Sequence, residues 1–190
     1  LLIGQTVAAA EASRGHLVSA QWLQANLDRE DVVVIDASAA QVYAAKHIPG
    51  AANAIFFNHG QVCVAGTRLF VEEPIFDDVV GGLTEIAGSM KLGGGRSPDS
   101  QMGPLVSREQ HERVIGYIKK GVSEGGEVIT GGDRHGDKGY FVQPTIFKNC
   151  GPASTLYKEE IFGPVLVANS YTDADEIASQ ANDTIYGLAA

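Results

Sequence analysis

Of the two cysteines in this 190-residue chain, Cys63 stands where a thiol could act on a substrate. It lies in the run Phe56-Phe57-Asn58-His59-Gly60-Gln61-Val62-Cys63-Val64-Ala65-Gly66, at a helix-to-loop transition among small residues and backbone donors. A thiol is the least reluctant side-chain nucleophile at neutral pH, and its attack on a carbonyl carbon creates an oxyanion that needs hydrogen-bond donors. Backbone N–H groups around Cys63 are expected to supply one. The competing reading is a small buried apolar residue, which is what most free cysteines are. Cys150, in Lys148-Asn149-Cys150-Gly151-Pro152, has no arginine beside it and reads as an incidental loop thiol. His59 precedes Cys63 by four residues, a spacing that joins side chains only on a continuous helix. The helix is expected to end before Cys63, so His59 reads as a solvent-facing histidine rather than a base.

The elements that must position Cys63 alternate between helix and strand. A helix ending near Cys63 leads to a strand at Arg68 to Glu72, a helix from Pro74 to about Met90, and another from Ser107 to about Glu124. Strands are expected at Val128 to Thr130, Phe141 to Phe147 and Val165 to Ser170. A last helix starts at Asp173, whose carboxylate is placed to cap it, with Ile177, Ala178 and Ala181 on its inner face. Upstream, Ser19 can cap a helix through Leu27, Val32 to Asp36 reads as a buried parallel strand, and a second short helix covers about Ala39 to Lys46. Such alternation predicts an α/β fold with a mainly parallel sheet flanked by helices. Gly93-Gly94-Gly95 lacks the lysine and the strand-loop-helix setting of a phosphate loop and reads as a turn.

Composition narrows the classes. A chain that is 44% hydrophobic with net charge −9 can form one ordinary domain. No apolar run is long enough to span a bilayer, and Lys119-Lys120 is an isolated pair rather than part of a basic cluster. Neither a membrane nor a nucleic acid is therefore expected as a partner. Two cysteines cannot make a disulfide framework, and no metal-ligand spacing is read. A cytoplasmic setting is expected. Residues 1–15 are expected to be disordered or the remnant of a signal peptide, which would make the setting periplasmic instead.

The spacing Gly60-Gln61-x-Cys63, followed by Ala65-Gly66, resembles the active-site segment of the NAD(P)-dependent aldehyde dehydrogenases, in which that cysteine attacks the substrate carbonyl. Thr67 to Glu73, Gln101 to Val106, Gly139 to Phe147, Lys158 to Val165 and Asn182 to Ala189 follow in the order that family uses, so the resemblance covers about residues 55–190. It implies Cys63 as the nucleophile, forming a thiohemiacetal with an aldehyde, and NAD or NADP as the cofactor. It also implies Glu160 as the contact to the nicotinamide ribose hydroxyls and Phe162 as the aromatic packed beside the nicotinamide. Taken alone, Glu160 is an exposed acid near a turn and Phe162 a core aromatic. The wording around Cys63 is most like a bacterial phenylacetaldehyde dehydrogenase branch, which implies an aromatic aldehyde.

Upstream of residue 55 a different resemblance emerges. Val34-Ile35-Asp36 and Tyr43 to Ala51 are similar to the first third of a rhodanese-type sulfurtransferase domain. The family's Cys-Arg-x-Gly-x-Arg loop is missing and no arginine follows Asp36, so sulfur transfer is not expected. The expected organisation is residues 1–15, a truncated rhodanese-like segment at 16–54 and a dehydrogenase catalytic-domain fragment at 55–190, a chimera joined near Ile48 to Ala54. The dehydrogenase resemblance also implies a dinucleotide-binding domain, a catalytic glutamate and an oxyanion-hole asparagine upstream of the cysteine, none of which is found here. Turnover by this chain alone is therefore not expected, since the hydride would have no acceptor. The remaining expectation is a non-catalytic fragment that self-associates through sheet edges and apolar faces.

Overall fold

A computed structural model of the chain describes residues 2–3 and 55–188. The upstream helices and strand, and the junction near Ile48, lie outside the described residues.

Five strands make one sheet: β1 (Leu2–Ile3), β2 (Arg68–Glu72), β3 (Glu127–Thr130), β4 (Thr145–Lys148) and β5 (Val165–Tyr171), in the order β1-β2-β5-β4-β3. All neighbours run parallel except β3 against β4. At the edge of the sheet Leu2 and Ile3 pair with Phe70 and Val71. The central strand β5 opens with the unbroken apolar run Val165-Leu166-Val167-Ala168, as a strand covered on both faces must.

Alternation along the strands sends neighbouring side chains to opposite faces. Leu69, Val71, Ile146, Leu166 and Ala168 share one face with Val79, Val80, Leu83 and Ala87 of helix α1 (Phe76–Ser89). Phe147, Val165 and Val167 share the other with Val114 and Ile118 of α2 (Arg108–Ser123) and Leu156 of α3 (Thr155–Lys158). Phe70 meets Tyr157 edge to face at 6.1 Å, beside Ile177 of α4 (Ala174–Asn182). Three layers result, with the sheet in the middle.

Local signals set the helix ends. Pro74 sits in the first positions of a 3-10 turn, Glu73–Ile75, where its missing N–H leaves no bond unmade, and α1 follows with Asp77 and Asp78 facing its positive end. Ser107 caps α2 by accepting from the Gln110 N–H at 3.2 Å. Glu124, just past α2, accepts from Thr155 N–H at 2.7 Å, Thr155 Oγ1 at 2.6 Å and Ser154 Oγ at 3.2 Å, and so ties the end of α2 to the start of α3.

Two expectations are corrected. The strand expected over Phe141 to Phe147 is confined to Thr145–Lys148, because Pro144 has no N–H to donate and Val142 makes only an isolated bridge with Arg134. Ala178, expected on the inner face of the last helix, is exposed, while Ile177 is 2% exposed and Ala181 packs at the edge of its cluster. Among the described residues no helix is long and apolar enough to cross a membrane.

Candidate functional site

The segment before Cys63 leaves regular helix early. Ile55 and Phe56 are helical and fully buried, and a 3-10 turn, Phe57–Gly60, follows. Within it Asn58, His59 and Gly60 all have left-handed backbones, at φ 47°, 61° and 69°. Asn58 closes the turn, its carbonyl accepting from Gln61 N–H at 3.0 Å and its side-chain amide donating to Gln61 O at 3.2 Å. A second turn closes from Ala65 N–H to Val62 O at 3.0 Å, with Cys63 exposed inside it.

Three consecutive left-handed residues remove the helical geometry that would set His59 beside Cys63. The imidazole packs on Gly103 instead: a methyl group added there would stand 2.7 Å from His59 Nε2. His59 is half-buried rather than solvent-facing, and its buried Nδ1 has no hydrogen-bond partner among the described residues. Burial pushes its pKa below 6.5, opposed in part by the Asn58 backbone. Gln61 makes the next link to the same loop, its Oε1 accepting from Val106 N–H at 3.0 Å.

Cys150 answers to the opposite description. It is 1% exposed and belongs to the core cluster under α2, so it is a buried apolar residue and not a loose loop thiol. Burial raises its pKa above the ordinary thiol value.

Glu160 and Phe162 lie in the extended stretch after α3. Glu160 is half-buried, not exposed as its type suggests. Its carbonyl accepts from Arg113 Nη2 at 3.1 Å and its N–H donates to Tyr186 Oη at 3.5 Å, while its carboxylate has no hydrogen bond or ion pair among the described residues. Glu159 beside it accepts from Tyr117 Oη at 2.7 Å. Phe162 is half-buried with a left-handed backbone at φ 57°. The carbonyls of Ile161 and Phe162 both accept from Gln110 Nε2, at 3.1 and 2.9 Å.

The two segments meet at their glycines. A methyl group added to Gly60 would stand 2.1 Å from Gly163 O, and one added to Gly163 would stand 2.6 Å from Val114 Cγ2. Cys63 is three residues beyond one glycine and Phe162 immediately precedes the other, so the thiol loop and the Glu160–Phe162 stretch belong to one assembly on the α2 side of the sheet. Gln110, Arg113 and Tyr117 join it although their types gave no sign; the available signal was a polar stripe at helical spacing next to the buried Val114. A cleft of about 260 Å³ lined by Glu73, Tyr171, Asp173 and Ile177 lies elsewhere and includes none of these residues.

A half-buried carboxylate with no partner among the described residues and a half-buried aromatic residue thus stand on one backbone stretch. The Aldehyde dehydrogenase family model matches residues 3–190. The chain is 52% identical over 136 residues to the mitochondrial aldehyde dehydrogenase of Leishmania tarentolae, covering 72% of this chain and 27% of that one. It is 46% identical over 143 residues to the phenylacetaldehyde dehydrogenase of Pseudomonas fluorescens, covering 74% and 28%. Among solved structures, an NAD+ complex of an aldehyde dehydrogenase from Bacillus cereus superimposes with a TM-score of 0.72 at 46% identity, over 73% of this chain and 28% of that one. The chain thus spans little more than a quarter of the length of these relatives. The bounds of the family match enclose residues 16–54, and the comparisons lend the rhodanese resemblance no support.

Proposed function

Because this chain belongs to the aldehyde dehydrogenase family, we propose that it carries the nucleophile and part of the nicotinamide site of an enzyme that oxidises an aldehyde to a carboxylic acid with NAD or NADP. The observation that carries the reading is the contact of Gly60 with Gly163, which couples the Cys63 loop to the stretch bearing Glu160 and Phe162.

In this reading the Cys63 thiolate adds to the aldehyde carbon: a C–S bond forms and the carbonyl becomes an oxyanion, held by backbone N–H groups of the loop. When bound, NAD(P)+ would accept the hydride lost from that carbon. The C=O bond re-forms as a thioester on Cys63, and water releases the acid and regenerates the thiol. Glu160 would hold the ribose hydroxyls and Phe162 would flank the ring, so that the acceptor would be oriented before the reaction begins.

The substrate is an aldehyde with an aromatic or other apolar tail. Support comes from the likeness to a phenylacetaldehyde dehydrogenase and from Val64 and Val106, 66% and 76% exposed, one beside Cys63 and the other tied to Gln61.

Iodoacetamide labelling of the 190-residue chain, read peptide by peptide, tests the reading. Phenylacetaldehyde should slow labelling of Cys63, 2-phenylethanol should not, and NAD+ should alter the rate at Cys63 alone. Equal labelling with and without the aldehyde would refute it.

A further inference from the structure

Between the buried Gly60 and Leu69 no residue is fully buried, so packing gives the Cys63 thiol little hold. Hydrogen bonds must supply it, and the residue types narrow the choice. Val62, Val64, Ala65 and Gly66 have no polar side-chain atom, which leaves Gln61 as the one residue of 61–66, besides the cysteine, whose side chain can tie this turn to a distant segment. Gln61 does so. Its Oε1 accepts from Val106 N–H at 3.0 Å, while its own N–H donates to Asn58 O at 3.0 Å and its carbonyl accepts from Asn58 Nδ2 at 3.2 Å. The main chain of Gln61 is thus fixed to the turn before it, and its amide to another loop.

That other loop is a firm support. Leu105 is 3% exposed within the core cluster under α2, and its N–H donates to Tyr140 O at 2.9 Å. On the other side of Val106, Ser107 caps α2. His59 rests on Gly103 of the same loop. The Cys63 segment is therefore pinned at two points on a rigid strip. A sulfur that starts from a fixed position meets a carbonyl carbon at a lower entropic cost than one on a loose loop.

We infer that Gln61 is a positioning residue for Cys63: its amide oxygen, by holding the Val106 N–H, sets where the thiol stands when an aldehyde arrives. The inference rests on the nucleophile reading above. The step it serves is a reversible addition, in which sulfur bonds to the aldehyde carbon, the C=O π bond opens and the thiol proton passes to the oxygen. Loss of the acceptor unpairs one main-chain N–H and removes nothing from the core.

The test measures, on the 190-residue chain, the phenylacetaldehyde concentration that halves iodoacetamide labelling of Cys63, with labelling of the buried Cys150 as the internal report on unfolding. Gln61→Met keeps the side-chain length and removes the acceptor, and Gln61→Glu keeps an acceptor at the same reach. The half-protecting concentration should rise about tenfold in Gln61→Met, the energy of one hydrogen bond, and Gln61→Glu should restore most of the protection lost. Hydrogen exchange at the Val106 amide should quicken in Gln61→Met while that at Leu105 holds. Equal protection of wild type and Gln61→Met would overturn the positioning role alone. Loss of protection in both variants alike would overturn it too, since the acceptor would then not matter. A loss matched by faster labelling of Cys150 would do the same, because the amide would then serve the fold and not the thiol. A wild-type Cys63 that the aldehyde does not protect would remove the aldehyde reading, and the positioning role with it, even where Val106 exchange still differs in the variant.

Discussion

Gly60 and Gly163 touch through their backbones, and no side chain fits between them: a methyl group on Gly60 would stand 2.1 Å from the Gly163 carbonyl oxygen. Gly60 also has φ 69°, a conformation open to glycine and strained for any residue with a Cβ. Two independent reasons therefore require glycine at a single position.

Gly60→Ala should destabilise the fold by about 3 kcal/mol, left-handed strain and steric overlap together. Gly81→Ala, on α1 with open space around it, should instead stabilise it by about 0.5–1 kcal/mol. Urea unfolding of the two variants beside wild type checks the contrast, and equal midpoints would mean that the glycine contact does not form.

The two thiols should differ sharply. Cys63 is exposed and Cys150 is 1% exposed, so native-buffer alkylation should favour Cys63 on the order of a hundredfold, and denaturant should abolish the difference. Because burial raises the Cys150 pKa, its contribution to stability is complete below the unfolded thiol value and is lost as pH rises through the folded one. Cys150→Ala should accordingly flatten the alkaline limb of a stability–pH curve, and an unchanged limb would place that loss in other groups.

His59 should make stability fall on mild acidification. Its folded-state pKa lies below 6.5, so the neutral ring favours the folded chain above that value and the advantage disappears as pH drops through the folded pKa. Asparagine tolerates a left-handed backbone and does not titrate, so His59→Asn should reduce the difference in urea midpoint between pH 7.5 and 5.5. An identical difference in wild type and variant would show that His59 is solvated in both protonation states.

Glu124 works in the acid range. Hydrogen bonds from the Thr155 side chain and then its backbone N–H hold the carboxylate below its usual pKa of 4.5. The stability it adds is present above that value and is lost as pH falls through the lower, folded value. Glu124→Gln should unfold at lower urea than wild type at pH 7, and the gap should close as the pH is taken down. A gap constant with pH would point to packing rather than charge.

Much of this arrangement was legible in the sequence because the signals were local. The Arg68–Glu72 strand, the helix capped by Ser107 and the early end of the helix before Cys63 follow from alternation, a capping hydroxyl and a glycine. The family could be read from motifs around Cys63 and Glu160. What escaped was decided between distant segments. Nothing near Phe162 announces a left-handed backbone, and the partner of its carbonyl is Gln110, which follows the Ser107 cap and lies on another element. Cys150 looked like a loop thiol by its neighbours Asn149 and Gly151, yet Phe147 and Leu156 cover it in the folded chain.

The parallel pairing of β2 with β5, Arg68 opposite Val167, joins positions about a hundred residues apart, and contacts of that span form late because so much chain must be ordered to close them. The loop that carries Cys63 leaves the ribosome about a hundred residues before Gly163 and the carbonyls held by α2. Until they do, the thiol travels on a nascent chain without the backbone that confines it. In a growing polypeptide the Cys63 loop thus stays unset until the second segment is made, and the order of translation, rather than the finished fold, sets how long that interval lasts.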